Sequence, residues 1–445
     1  NAGNLASETD QSNRTTSYAY DQMHRLTSST NPANATTNFG YDQRGNLISV
    51  ATPKGYTTQY EYDVLDRISK TLDPTGKISE MQYDAAGNLE RVVENGGRVY
   101  SYTHDNVGNL LTVTNPLNQT MSYTYDSMNR KTSETNLGGN TKSYTYDLNG
   151  QTLSVTNELG GVSSFEYDAN GNILSATDAE NRKVSYTYDL ADRLISVTEA
   201  DIVVAEYAYD SVGNLITYKD GNGKDTAYTY NQLGEMTSTT DPLGNVKEFS
   251  YNANAMLDTV TNPDDSTVHY DYDVLDQMIS KSYDEDEDAQ ALWGYDADGN
   301  RISMDDVAGT TNYEYDSVGK ITAVNLSNGK KITYTYDEYG NLATLTYPDN
   351  TTVDYTYNEL NQLVQIKDRQ NKVTSYERDV NGYVVKVTRP NNTYTTIEHD
   401  AMGNVVKIVN MGINPYYDIA MELSRFEYTY DLSGFIKSEV ATSDK

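Results

Sequence analysis

The chain of 445 residues contains no cysteine, which removes thiol nucleophiles, disulfides and cysteine-ligated metals at once. Histidine is scarce, and His24, His104, His269 and His399 show neither metal-ligand spacing nor a nucleophile partner. Basic residues are outnumbered, 33 Lys and Arg against 65 Asp and Glu, for a formal charge of −32. Without a basic stripe the chain is a poor match for nucleic acid, heparin-like polyanions or an anionic membrane surface. No apolar run approaches the length of a membrane span, so no membrane insertion by this segment is expected. Apolar residues make up only 37% of the chain, below the usual globular share. Such a deficit would point to disorder were it not for 41 tyrosines, which bury large areas while keeping a polar tip.

The tyrosines fall in a fixed pattern. Numbering each unit from the second tyrosine of Tyr-x-Tyr-Asp, twenty units begin at Tyr20 and end with the one at Tyr430, and sixteen of the nineteen intervals are 21 residues. The others are 23, 20 and 31 residues. A period this strict decides for a repeat architecture before any propensity argument. The opening NAGNL fits the tail of a preceding unit, so a longer array is expected.

Each position has a physical reading. Position 1 is Tyr in seventeen units, and an aromatic stands two residues earlier in eighteen. Residues two apart on a strand share a face, so pairs such as Tyr123 and Tyr125, Tyr144 and Tyr146, Tyr186 and Tyr188, and Tyr334 and Tyr336 are expected to form an aromatic stripe. Position 2 is Asp seventeen times and Asn three times, as expected of a turn cap whose oxygen accepts backbone N–H groups; Asp42, Asp84, Asp126, Asp210 and Asp337 represent it. Position 5 is Gly in thirteen units and otherwise Asn, Asp, His or, once, Ala255. It is assigned positive φ, at Gly45, Gly87, Asn129, Gly213 and Gly340 among others. Ala255 is the misfit, implying local strain or a shifted turn. Positions 7 and 10 are both commonly aliphatic but differ in parity, which requires a bulge or burial on both faces. Eight of the nine prolines sit at position 13, marking a second tight turn.

The unit is therefore strand, Asp turn, strand, Pro turn. Twenty units make about forty strands, more than an open sheet carries without curling. The expected fold is all-β: one continuous hairpin strip spiralling into a hollow shell or barrel, with residues 1–445 as a single repeat-shell segment that is less regular over 378–445. With so many tyrosine hydroxyls on the inward stripe, a hollow, wet interior is expected over a dry core.

The units YDQRGNL (41–47), YDAAGNL (83–89), YDSVGNL (209–215) and YDEYGNL (336–342) strongly resemble the RHS family, also called YD repeats, in a register that covers essentially the whole chain. The resemblance implies a hairpin strip wound into a shell, as in bacterial polymorphic toxins, the Tc-toxin cocoon and the teneurin barrel. It also implies a covalently linked C-terminal toxic or effector domain as cargo, and a secreted or wall-associated bacterial protein. The family's self-cleaving aspartyl core is not found: DPTG (73–76) and DPLG (241–244) fall at the repeat's own Pro turn. No catalytic residue, cofactor site or metal site is assigned, and the chain is expected not to be an enzyme. The alternative partner is cell-wall or surface carbohydrate stacked on exposed tyrosines. Two irregular stretches are expected to be loops: the acidic run DEDED (284–288), taken as a solvated loop over a calcium site, and the insertion within 411–426.

Overall fold

The computed structural model describes residues 3–284, 286–414 and 419–443. These residues form 41 β-strands and one three-residue 3₁₀ turn, Asn95–Gly97, with no α-helix among them. By contact the chain divides into two units. The first is Asn1–Met81 with Tyr207–Thr335 and Thr346–Asn350; the second is Gln82–Glu206 with Tyr336–Leu345 and Thr351–Lys445.

The repeat beginning at Tyr125 shows why the sequence folds this way. Its first strand, Thr120–Tyr125, alternates polar and aromatic residues, so Tyr123 and Tyr125 share one face while Thr124 is exposed on the other. The second strand, Lys131–Thr135, pairs with it antiparallel, Tyr125 opposite Lys131 but Thr124 opposite Ser133. Thr132 is thus the extra residue of a bulge. The same register shift recurs at Tyr41, His104, Tyr146, Tyr167 and Tyr188. It settles the parity question: after the bulge, position 10 stands opposite the first stripe aromatic, Val50 facing Phe39 and Val155 facing Tyr144. The aliphatic residues and the tyrosines share one face because a bulge absorbs the odd residue of a 21-residue period. Pairing on the Pro-turn side, Ser133 with Ser143, carries no such shift. Following Thr124 to Ser133 and on to Ser143 arrives two residues before Thr145, the equivalent of Thr124. Each repeat therefore steps two residues along the strands, leaning them by about 35° across the strip at the usual strand rise and spacing.

Within each unit, two stretches of strip meet turn edge to turn edge. In the first, Arg14 from a Pro turn donates to the Val274 carbonyl at 3.2 Å and binds Asp276 at 2.7 Å. Lys54 binds Asp296 at 2.9 Å there. In the second, Arg98 donates to the Glu359 carbonyl at 3.2 Å and Asn361 at 2.7 Å, and Arg182 binds Asp431 at 2.9 Å. The partners lie 242 to 263 residues apart in the first three of these pairs that join opposite edges, about twelve repeats. In every case a Pro turn of the earlier stretch meets an Asp turn of the later one.

The wall is one sheet thick. Among the described apolar residues only Ala205, Val260, Val268, Ala323 and Val409 are buried. The accessible surface is 25998 Å², where a compact globule of 49.6 kDa would expose about 17,000 Å².

Both stretches expected to be loops instead extend the ladder. Strands Met278–Tyr283 and Asp286–Tyr295 form a lengthened hairpin with Tyr283 opposite Asp286, so the acidic run continues a strand; Glu285 lies outside the described residues. The insertion lengthens a hairpin too, through Val405–Asn414 and Ile419–Tyr430, with Gly412 opposite Met421 and Ile413 opposite Ala420. Residues 415–418, including the out-of-register Tyr417-Asp418, lie outside the described residues. The physical reason is that each added pair satisfies backbone groups within the ladder, which a loop would leave to water.

Candidate functional site

The candidate site is the wall itself, and its lattice is built from the turns. Asp126 Oδ1 accepts the backbone N–H of Met128 at 2.9 Å and of Arg130 at 3.0 Å. Asp42 accepts three, from Arg44, Gly45 and Asn46, at 2.8 to 2.9 Å, and Asp210 takes the corresponding three from Val212, Gly213 and Asn214. Asp84 and Asp337 accept from Ala86 and Asn88, and from Tyr339 and Asn341. The Arg130 N–H holds the Asp126 carboxyl below its ordinary range, and the Asn88 side-chain amide does the same for Asp84. Gly45, Gly87, Gly213 and Gly340 have φ of 103°, 95°, 104° and 89°, and Asn129 has 63°. Ala255 takes the same conformation, φ 62°, with the turn hydrogen bonds of Asn252 in place. The turn has not shifted; the alanine is strained in it.

Two further positions carry the lattice without having been assigned a role from sequence. Position 12 is a second cap: Asp73 Oδ1 accepts from Thr75 and Lys77, and Asn115 Oδ1 from Leu117 and Gln119. The left-handed residue three later, Gly76 or Asn118, completes a copy of the Asp turn. Its signal in the sequence is an Asp or Asn ten residues after position 2, directly before the proline where one is present. Position 6 links neighbouring turns. Asn109 Nδ2 donates to Asp105 at 2.8 Å and to Asn129 of the next turn at 2.9 Å. Where it is arginine, Arg130 binds Asp126 at 2.7 Å, donates to the Asp147 carbonyl and lies 4.8 Å over the Tyr146 ring.

The stripe tyrosines are half-buried: Tyr123, Tyr125, Tyr144, Tyr146, Tyr186, Tyr188, Tyr334 and Tyr336 alike. Position-1 hydroxyls find a recurring partner, the position-7 carbonyl of the preceding repeat. Tyr146 donates to Lys131 O at 2.6 Å, Tyr188 to Ile173 O at 3.0 Å and Tyr230 to Leu215 O at 2.9 Å. That carbonyl is available because the ladder to the following strand begins two residues later, at Ser133. Arg378, which replaces a stripe tyrosine, aims Nε and Nη2 at the same acceptor, Leu363 O, at 3.3 Å. Tyr144, on the other half of the stripe, donates to Glu134 at 2.6 Å; burial and that carboxylate push its hydroxyl well above the ordinary range. Among the described residues no group of three or more His, Asp or Glu stands close enough to hold a metal ion.

The family profile described as Teneurin YD-shell matches residues 1–142 and 128–255, and that described as RHS Repeat matches 315–352 and 357–394. The chain belongs to the YD-shell family. Solved structures with this fold include "Crystal Structure of TcdB2-TccC3-Cdc42", at 16% identity and TM-score 0.69, covering 94% of this chain and 27% of that one. "Crystal Structure of TcdB2-TccC3 without hypervariable C-terminal region" matches at 15% identity and TM-score 0.69, covering 98% of this chain and 28% of that one. None of the curated proteins compared with the chain matches it. The chain spans less than a third of the length of these structural relatives, and at such identity the likeness concerns the fold. As a YD-shell segment it has no described helix long and apolar enough to cross a membrane. Nothing in these comparisons supports the carbohydrate partner.

Proposed function

We propose that residues 1–445 form one non-catalytic stretch of the wall of a larger secreted bacterial toxin shell, which encloses a covalently linked toxic domain. The observation that carries this reading is the turn-edge stacking within each unit. A strip that returns on itself every twelve repeats and seals Pro turn to Asp turn builds a continuous barrier from a single sheet. The fold shared with chains of the TcdB2-TccC3 complexes supports it. The mechanism is exclusion: strands about 4.8 Å apart leave no opening for a protease or for a partly unfolded cargo. On this reading the stripe face points inward. Its rings give a lining that is apolar in body, while hydroxyls such as that of Tyr146 are already occupied by carbonyls.

Limited proteolysis of the full-length protein tests the proposal. A domain downstream of the repeats should resist digestion in native buffer and be cut rapidly once mild denaturant opens the wall. A reading frame with no such domain, or a domain digested equally fast in both conditions, would overturn it.

A further inference from the structure

Of the nine Pro turns from Asp10 to Arg182, three carry arginine at position 16: Arg14, Arg98 and Arg182. Of the ten Asp turns from Tyr230 onward, seven have glycine at position 5 and one has Ala255, so only Asp276 and Asn361 offer a side-chain acceptor there. The fold brings these two rare features together, once within each unit. In the first, Arg14 Nη1 donates to Asp276 Oδ1 at 2.7 Å and to the Val274 carbonyl at 3.2 Å, and Nη2 donates to Asp276 Oδ2 at 2.9 Å. Its Nε stays on Asp10 of its own turn at 2.6 Å. In the second, Arg98 Nη1 donates to Asn361 Oδ1 at 2.7 Å and to the Glu359 carbonyl at 3.2 Å, while Nη2 holds Glu94 of its own turn at 2.6 Å. The same four positions, 12 and 16 of the Pro turn with 3 and 5 of the Asp turn, build both clamps. Arg182 meets a turn with Gly434 at position 5 and binds Asp431 at position 2 instead.

The spacing of the two clamps matches on both edges. Arg14 and Arg98 are four repeats apart, and so are Asp276 and Asn361, although the irregular intervals of 23 and 20 residues fall between the latter. A slip of one repeat in either direction would set Arg14 against Ala255 or Gly299, and Arg98 against Gly340 or Gly382. Both arginines are largely buried, 15% and 7% exposed, so a register that removed the facing acceptor would leave a desolvated guanidinium underpaired.

We infer that Arg14–Asp276 and Arg98–Asn361 are registry pins, which select the Asp turn that each Pro turn closes on. Twist sets the approximate length of one return, and the pins choose among neighbouring repeats by penalising the wrong ones. The inference concerns how the wall closes and holds whether or not the wall encloses cargo.

The absence of cysteine makes the register readable by disulfide trapping in the 445-residue chain. Across the second unit's seam the Gly138 N–H donates to Asn381 at 2.8 Å, and a Cβ on Gly138 would fall 3.2 Å from Asn381 Cγ. Gly138→Cys and Asn381→Cys are therefore within disulfide reach. Met402→Cys, at the same position one repeat on, reports a slipped register. Refolded from urea and then oxidised, the chain with these three substitutions should give the 138–381 disulfide almost alone. Adding Asp276→Gly and Asn361→Gly removes both pins with a residue suited to positive φ. It should lower the ratio of 138–381 to 138–402 by about tenfold per pin, the scale of one hydrogen bond to a charged group. Moving the pins on by one repeat, with Gly299→Asp and Gly382→Asn added, should make 138–402 the main product. Asn129→Gly, which loses the link from Asn109 without touching the pins, should leave 138–381 alone. A pinless chain that still gives only 138–381, relocated pins that leave the product unchanged, or slippage in Asn129→Gly would overturn the inference. So would a pinless chain that forms neither disulfide, since the pairs would then hold the seam closed without choosing its partner.

Discussion

At the scale of single residues, Ala255 measures how much strain one turn tolerates. It holds φ 62° at a position where thirteen units have glycine, and its turn hydrogen bonds are intact. An L-residue with a Cβ in this region costs about 1 kcal/mol relative to glycine or asparagine. Ala255→Gly and Ala255→Asn should therefore raise the urea midpoint of the surrounding repeats, by an amount corresponding to about 1 kcal/mol, with no change in m-value. The tyrosines divide in a similar way. The Tyr146 hydroxyl serves a carbonyl outside the ladder, whereas that of Tyr123 makes no hydrogen bond among the described residues. Tyr146→Phe should cost about 1 kcal/mol and Tyr123→Phe less than about half that, both read by denaturant unfolding. Two such variants separate a ring that fills space from a hydroxyl that fastens one repeat to the next.

At the scale of elements, the seam depends on a few side chains of particular shape. Arg98 lies 3.7 Å over the Tyr339 ring, binds Glu94 at 2.6 Å and reaches both Glu359 O and Asn361. One planar guanidinium meets three acceptors and a ring, which a lysine ammonium cannot reproduce. Arg98→Lys should cost about 2 kcal/mol at this seam, on the scale of hydrogen bonds to a charged group. Hydrogen exchange would show it as protection lost around Asn358–Asn361, on the order of 30-fold, with distant repeats such as Tyr167–Thr177 unchanged. Uniform loss across the chain would mean that the seam and the repeats unfold as one unit. The elements themselves were legible in the sequence because the period fixed strand, turn and strand. Positions 7 and 10 disclosed that a bulge or two-faced burial was needed, but only pairing could choose between them. The seam partners were not legible. Which Asp turn meets Arg98 depends on how many repeats complete one return, a sum of small twists and bulges that no single residue encodes. The two supposed loops failed for a related reason: DEDED and the stretch around Asn414 carry turn-forming residues, while the pairing that overrides them is set by neighbours across the sheet.

At the scale of the whole molecule, charge sets a balance that pH can tip. The turn carboxylates, Asp63, Asp84 and Asp126 among them, have folded-state values lowered chiefly by Arg67, Asn88 and Arg130 respectively. A lowered value means the folded chain holds fewer protons than the unfolded one, so this stabilisation is complete above the unfolded value near 4 and drains away as pH falls through the folded values. Acidification also neutralises part of the −32 charge, and relief of that repulsion acts with the opposite sign. The two effects separate by range and by salt. Repulsion acts over a distance that salt shortens from about 30 Å at 0.01 M to about 8 Å at 0.15 M, whereas a carboxylate in contact with backbone N–H groups is hardly screened. Thermal melts should thus show Tm rising with salt at pH 7, staying level or rising slightly from pH 7 to about 5, and falling below about pH 4 at either salt concentration. A Tm that kept climbing below pH 4 would show that self-repulsion outweighs the turns. Since the cap oxygen recurs at position 2 in every repeat, as Asp or as Asn at 231, 252 and 358, the acid limit should move down as aspartates are replaced by asparagine. Asn keeps the acceptor and loses the proton-binding site, so each Asp→Asn change at position 2 removes one step of the acid transition while leaving its turn formed.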